Sequence, residues 1–219
     1  MKALLTAILI TLITFVACSP SPEPSTTPAP AITPAPAITP TLKKISLEDA
    51  PSILNISLLL PSRFEEIDAA SEGMSNKDFG LGPEFSEVKV YLSEDPFQMI
   101  WGMMGIITSR TEAAAFDRQL EEESTIENLI KESILEGARD EGIEATVPNL
   151  DITHPDIGDS AIFGEGAMES YGFYYGFDTV WFRSNTVYVF FYSTSMSTDE
   201  VSLLPIAEEI EKRIGSFSQ

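Results

Sequence analysis

The stretch from Ser19 to about Leu42 constrains this chain more than any other, because it can enter neither a helix nor a sheet. Eight prolines fall between Pro20 and Pro40, and Pro-Ala-Pro-Ala-Ile-Thr occurs twice in tandem, at Pro28 to Thr33 and Pro34 to Thr39. Proline carries no amide donor and pushes the residue before it toward extended geometry. The stretch therefore reads as a disordered, semi-rigid polyproline-like spacer of up to about 75 Å. It divides the 219 residues into an apolar leader (1–17), Cys18 with the Pro/Ala/Thr-rich linker (18–44), and a single acidic domain (45–219). Roughly 175 residues can bury about 70% of the surface that their unfolded chain exposes, so neither disulfides nor a structural metal is needed.

The leader has one basic residue, Lys2, followed by fifteen uncharged residues, Ala3 to Ala17. As a helix those fifteen reach only about 22 Å against a bilayer core of roughly 30 Å. A basic start, an apolar run and small residues before a polar change are the layout of a secretory signal peptide. Phe15-Val16-Ala17-Cys18 resembles the bacterial lipobox, with Phe15 standing where Leu is usual. That resemblance implies a diacylglyceryl group on the Cys18 thiol, cleavage before it, and acylation of the new amino terminus. It places the protein on a cell membrane, lipid-anchored and facing away from the cytoplasm; two or more acyl chains give the stable anchoring that one cannot. Cys18 is the sole cysteine, so once it is lipidated, disulfides, thiolate zinc sites and cysteine nucleophiles are excluded.

The formal net charge is −21. Setting aside Lys2, Lys43, Lys44 and Glu23 leaves 10 basic against 33 acidic residues in the domain. Nucleic acid is excluded as a partner, because phosphate binding relies on Lys and Arg, and no basic cluster exceeds Lys43-Lys44. The same charge repels an anionic lipid surface, which leaves covalent or apolar anchoring.

Within the domain, Ile53 to Leu60 reads as a leading strand that runs into Pro61 and then Phe64 to Asp68, while Ser71 to Pro83 reads as a loop. Ser86 to Ser93 and Phe97 to Thr108 make a hairpin around Glu94-Asp95-Pro96. Ser109 with Glu112, and Ser124 with Glu127, are capping-box patterns that predict two helices, or one interrupted helix, over 110–140, with Gly142 as the stop. Strands follow at Ile143 to Thr153, Ser160 to Met168, Phe173 to Arg183 and Thr186 to Ser195, the last two turning at Ser184-Asn185. Both faces of these last two are apolar or aromatic, so they lie centrally, covered on both sides. Ser197 with Glu200 caps a final helix on which Leu203, Ile206, Ala207, Ile210 and Ile214 form one stripe, with Pro205 kinking or delaying its start. The order predicts an α+β fold, a mostly antiparallel sheet flanked by helices.

Three short motifs, Ile157-Gly158-Asp159-Ser160-Ala161, Phe182-Arg183-Ser184-Asn185 and the closing helix from Ile206-Ala207 to Ile214, resemble those of uncharacterised bacterial lipoproteins with a PsbP-like α/β/α sandwich. What the resemblance implies is a fold, in a group that binds ligands or proteins more often than it catalyses.

Chemistry is sparse. The single histidine, His154, excludes a multi-histidine metal centre; a hydrolase would have to use it with a nearby Ser or Asp. Thr153 to Asp159 reads first as a polar turn, and a calcium site on Asp156 and Asp159 would need more acidic ligands at regular spacing. Gly102 to Gly105 and Phe163 to Gly166 contain glycines but open no helix as phosphate loops do. Glu121, Glu122 and Glu123 read as a solvated face. The feature above background is the aromatic set, most of it core. Trp101, Tyr174, Tyr175, Trp181 and Tyr188 are the candidates for contact with a cell-envelope protein or an apolar ligand. The expectation is a binding module without catalytic residue, metal or cofactor, the alternative a hydrolase using His154.

Overall fold

In a computed structural model of the chain, the described residues are 45–67, 88–140, 142–196 and 200–217. The leader, Cys18, the linker, the expected loop Ser71 to Pro83 and Ser197 lie outside them. A short turn of 3-10 helix (Leu47–Asp49) leads into α1 (Ala50–Ile53), then β1 (Glu65–Ile67), β2 (Lys89–Glu94) and β3 (Phe97–Ile106). Two helices follow, α2 (Arg110–Glu121) and α3 (Glu123–Asp140), then β4 (Ala145–Thr153), β5 (Ser160–Ser170), β6 (Phe173–Ser184) and β7 (Val187–Ser195), and α4 (Leu203–Phe217). The strands form one seven-stranded sheet in the order β1-β2-β3-β7-β6-β5-β4. Every neighbouring pair is antiparallel. The fold is α+β, as the element order predicts.

Alternation along the central strands creates two cores. Phe177 and Trp181 of β6 face Phe190 and Tyr192 of β7 and the apolar side of α2 and α3, which supplies Phe116, Leu120, Ile126, Ile130, Ile134 and Ala138. Val180 and Phe182 point the other way, to Val189, Phe191, Ile100 and the stripe of α4. That stripe is the expected one: Leu203, Ile206, Ala207, Ile210 and Ile214 are all buried. Each of its large side chains contributes roughly 1.5–3 kcal/mol relative to exposure. Pro205 occupies the first turn of α4, where its missing amide has no partner to lose, so the helix starts late, at Leu203, and is not interrupted.

Local signals act where they were expected, with two exceptions. Ser109 accepts a bond from the Glu112 amide at 3.1 Å, but the Glu112 carboxylate reaches one residue further back, to the Thr108 amide at 2.9 Å. Gly142, at φ 69°, ends α3: its amide donates to the Arg139 carbonyl, and that of Ile143 to Ala138. This is the glycine-terminated bond pair that satisfies a helix's last carbonyls. The second capping box, at Ser124, is not the cap; α3 begins at Glu123, and the amides of Thr125 and Ile126 donate to the Glu122 carbonyl.

The other exception is Ile53 to Leu60, which is no strand. Ile53 closes α1, and the chain then turns so that Ile53, Leu54 and Ile56 bury against the sheet while Leu58 is 94% exposed. A buried tyrosine holds the segment in place: the Tyr91 hydroxyl accepts from the Ile56 amide at 3.2 Å and lies 3.4 Å from the Leu54 carbonyl. Apolar residues without period 2 here serve a turn folded onto a core.

The glycines of the two weak phosphate-loop candidates have a packing role. A Cβ on Gly102 would stand 2.1 Å from the Phe191 ring, one on Gly105 2.2 Å from Tyr188, and one on Gly166 2.6 Å from Phe177. Each ring belongs to the residue directly opposite on the neighbouring strand. An aromatic side chain lies across its facing glycine and fills the gap that a bare backbone leaves in the sheet.

Candidate functional site

Two of the three motifs behind the PsbP-like resemblance meet at one end of the sheet. Arg183, near the end of β6, donates from Nε and Nη2 to the two carboxylate oxygens of Asp117 on α2, at 2.7 and 2.8 Å. Its Nη1 donates to Asp159 Oδ2 and to the Asn185 carbonyl, both at 2.7 Å. Asp159 also accepts from the Asn185 amide at 2.7 Å, and Ser160 Oγ donates to Asp117 at 2.6 Å. The guanidinium holds the Asp117 carboxyl below its ordinary range, with the Ser160 hydroxyl adding to the effect. Gly158, at φ 63°, is required because a Cβ there would stand 2.3 Å from the Arg183 carbonyl oxygen. Planar, bidentate pairing of this kind is what arginine offers and lysine does not. All three guanidinium nitrogens donate to protein groups, so the arrangement fastens α2 to the β5–β6 ends.

His154 sits after β4 on the surface. Its Nε2 lies 3.1 Å from the Leu120 carbonyl, at the last turn of α2. A proton on Nε2 directed at that carbonyl satisfies one of the orphan acceptors of a helix end. Among the described residues no group of three or more His, Cys, Asp or Glu is arranged to hold a metal ion.

The five aromatic candidates are not brought together. Trp101 and Trp181 lie in the core facing α2 and α3, 3% and 5% exposed, both against Phe190 at ring separations of 4.8 and 4.9 Å. The Trp181 indole N–H donates to Thr179 Oγ1 at 2.9 Å. Tyr188 is half-buried, 5.5 Å from Phe116, and Tyr175 is half-buried at the rim of the same core. Tyr174 stands apart, at 63% exposed. Its neighbours on the turn between β5 and β6 are Tyr171, 71% exposed, and Phe173, 60% exposed. Tyr171 and Gly172 have φ 50° and 80°, the paired left-handed conformation of a two-residue hairpin turn. Ser170 through Gly176 carries no charge, in a chain of net charge −21.

At the same end of the sheet, on the α4 side, lies a band of buried polar residues. Ser93 of β2, Gln98 of β3, Ser193 and Ser195 of β7 and Asp178 of β6 are each no more than 4% exposed. Gln98 grips the approach to α4 twice, accepting from the Val201 amide at 2.9 Å and donating to its carbonyl at 3.0 Å, and it also donates to Ser193 Oγ at 2.9 Å. The backbone amide of Leu203, the first residue of α4, favours charge on Asp178, but burial, reinforced by Glu200 and Glu165, prevails and pushes its carboxyl up to about 7. No sequence-local motif marks this band, because its members come from four separate strands. Its one visible trace is an acid, Asp178, inside an otherwise apolar central strand.

No family model matches the chain, and no curated protein matches it. Among solved structures, the chain is similar to the extracellular domain of PknH from Mycobacterium tuberculosis, at 10% identity and a TM-score of 0.45, over 78% of this chain and 97% of that one. At that degree of overlap the likeness carries no argument about function. Among the described residues no helix is long and apolar enough to cross a membrane.

Proposed function

We propose that this protein is a lipid-anchored lipoprotein whose domain works outside the cytoplasm as a non-enzymatic module, contacting a protein partner through the tip of the β5–β6 hairpin. The observation that carries the contact is the exposure of Tyr171, Phe173 and Tyr174 together, where the other aromatic side chains among the described residues fill the cores or pack against them. Aromatic side chains on a projecting turn are costly to leave in water, and Tyr and Phe are typical anchors of protein interfaces. A projecting tip fits a partner's groove; a small apolar ligand would need a concave pocket around it. The lipobox resemblance at Phe15 to Cys18 supports the address, and the proline-rich linker supplies reach from the membrane. Kinship with PsbP-like lipoproteins belongs to the same reading and rests on the Gly158-Asp159 turn and the Arg183 to Asn185 tip.

The test is photo-crosslinking from position 174 of the full chain on intact cells, beside a variant carrying Tyr171→Ser, Phe173→Ser and Tyr174→Ser. The reading expects a discrete crosslinked protein that the triple variant no longer competes for, while its unfolding free energy stays within about 0.5 kcal/mol per exposed site. Competition by the triple variant equal to that of the parent would contradict it.

A further inference from the structure

Among the described residues, Asp178 is the one acidic side chain that is buried, at 4% exposure. Its cross-strand partners are Glu165 on β5 and Ser193 on β7. Two residues earlier on the same face of β6 is Gly176, and there the Glu200 carboxylate takes the room a side chain would fill, with Oε2 3.2 Å from where a Cβ would stand. Among the described residues the groups on the same side of the sheet as Asp178 are therefore Glu165 from β5, Glu200 from the approach to α4, and the neutral Ser193 with its partner Gln98, while the buried Tyr192 hydroxyl, on the opposite face, is held protonated in part by the charge of Asp178. None of the three carboxyl groups takes part in an ion pair among the described residues. What favours charge on Asp178 is the amino end of α4, through the Leu203 amide.

We propose that Asp178 and the amino end of α4 form a proton-controlled clasp, which holds residues 200–203 on the sheet when Asp178 is protonated and loosens when it is ionised. An ionised Asp178 is a desolvated charge beside two like charges, and the entering segment can relieve both penalties by lifting Glu200 away and admitting water. The helix end offsets only part of this, since burial and the two glutamates prevail and hold the carboxyl near 7. The folded value lies above the unfolded one, so the contribution to closure is complete in acid and is lost as pH rises through about 7. Glu200 itself is raised by burial and by Glu165, so it moves in the same direction. Because Glu200 touches Gly176, two residues from Tyr174, the clasp borders the exposed hairpin; it does not depend on what the hairpin binds.

The experiment is amide hydrogen exchange on the full chain in detergent, corrected for the intrinsic rate, at Val201 and Leu203 between about pH 6 and pH 8. If Asp178 titrates near 7 when clasped and near 4 when free, opening rises about tenfold over that interval. Asp178→Asn keeps an acceptor beside the Leu203 amide and has no carboxyl proton to lose, so its protection is expected to lose most of its pH dependence, with only the smaller contribution of Glu200 left. Should that variant not fold, Glu200→Gln serves in its place: with a neighbouring charge removed, the opening midpoint moves to lower pH. Unchanged protection in the parent, an Asp178→Asn protein that still opens tenfold, or a midpoint indifferent to Glu200→Gln would each overturn the clasp.

Discussion

Ser133 is buried at 1% exposure within α3, and among the described residues its hydroxyl has no hydrogen-bond partner. An unsatisfied buried hydroxyl costs about 1–3 kcal/mol that a methyl group does not. Ser133→Ala is therefore expected to leave the urea midpoint unchanged or raise it, and a clear fall would show that the hydroxyl is in fact paired. Gly102 is the opposite case. Its missing side chain is the space of the Phe191 ring, which is itself fully buried and has nowhere to turn. Gly102→Ala should cost about 1–3 kcal/mol through overpacking, and a neutral result in denaturant unfolding would contradict the ring-over-glycine account. Arg183→Lys keeps a charge but loses the two-pronged grip on Asp117, with an expected loss of about 1–3 kcal/mol. His154→Ala removes one bond to the end of α2, which is worth about 1 kcal/mol. Retention of full biological effect by that variant is what the non-enzymatic reading expects, and its loss in a protein of unchanged stability would favour the hydrolase.

At the scale of elements, the sequence was most legible where period and punctuation agreed. The α4 stripe, the Gly142 stop, the Ser109 cap and the two-sided apolar strands β6 and β7 are each readable from a few residues, because each is fixed by local stereochemistry or a simple alternation. Ile53 to Leu60 misled because a dense apolar run satisfies a strand's composition while its burial here follows a turn onto the α4-side core. Ser124 misled because Glu122, two residues earlier, already supplies the carbonyl that starts α3. The site was less legible still. Trp101 and Trp181 share aromatic character with Tyr174, and what separates them is which layer lies over each strand, a long-range property that no local pattern carries. The turn at Tyr171-Gly172 was the available signal: aromatic residues flanking a two-residue hairpin turn have no core to enter.

For the whole molecule, Asp117 acts on the response to pH in one sense, and Asp178 with Glu200 in the other. Asp117, held low chiefly by Arg183, contributes stability that is present at neutral pH and lost as pH falls through its depressed value. Asp178 contributes in the other direction, favouring the folded state in acid and weakening as pH rises through about 7. The unfolding free energy is thus expected to decline from about pH 6 to 8 in the parent and to lose most of that decline in Asp178→Asn. The sheet's outer edge, β4, is kept from recruiting another strand by Pro148 and by the register shift between Thr146 and Asn149. Such devices discourage edge-to-edge association and are compatible with the proposed contact through the hairpin tip.

In the proposed arrangement the domain sits at the far end of a linker whose near end is fixed in a bilayer, and the intact mass of the chain recovered from its native membranes tests this most directly. The expected species begins at Cys18 and carries the added mass of a diacylglyceryl group, and Cys18→Ser abolishes both the added mass and detergent-phase partitioning. A chain that still begins at Met1, bears no acyl group and is recovered from the soluble fraction would contradict it.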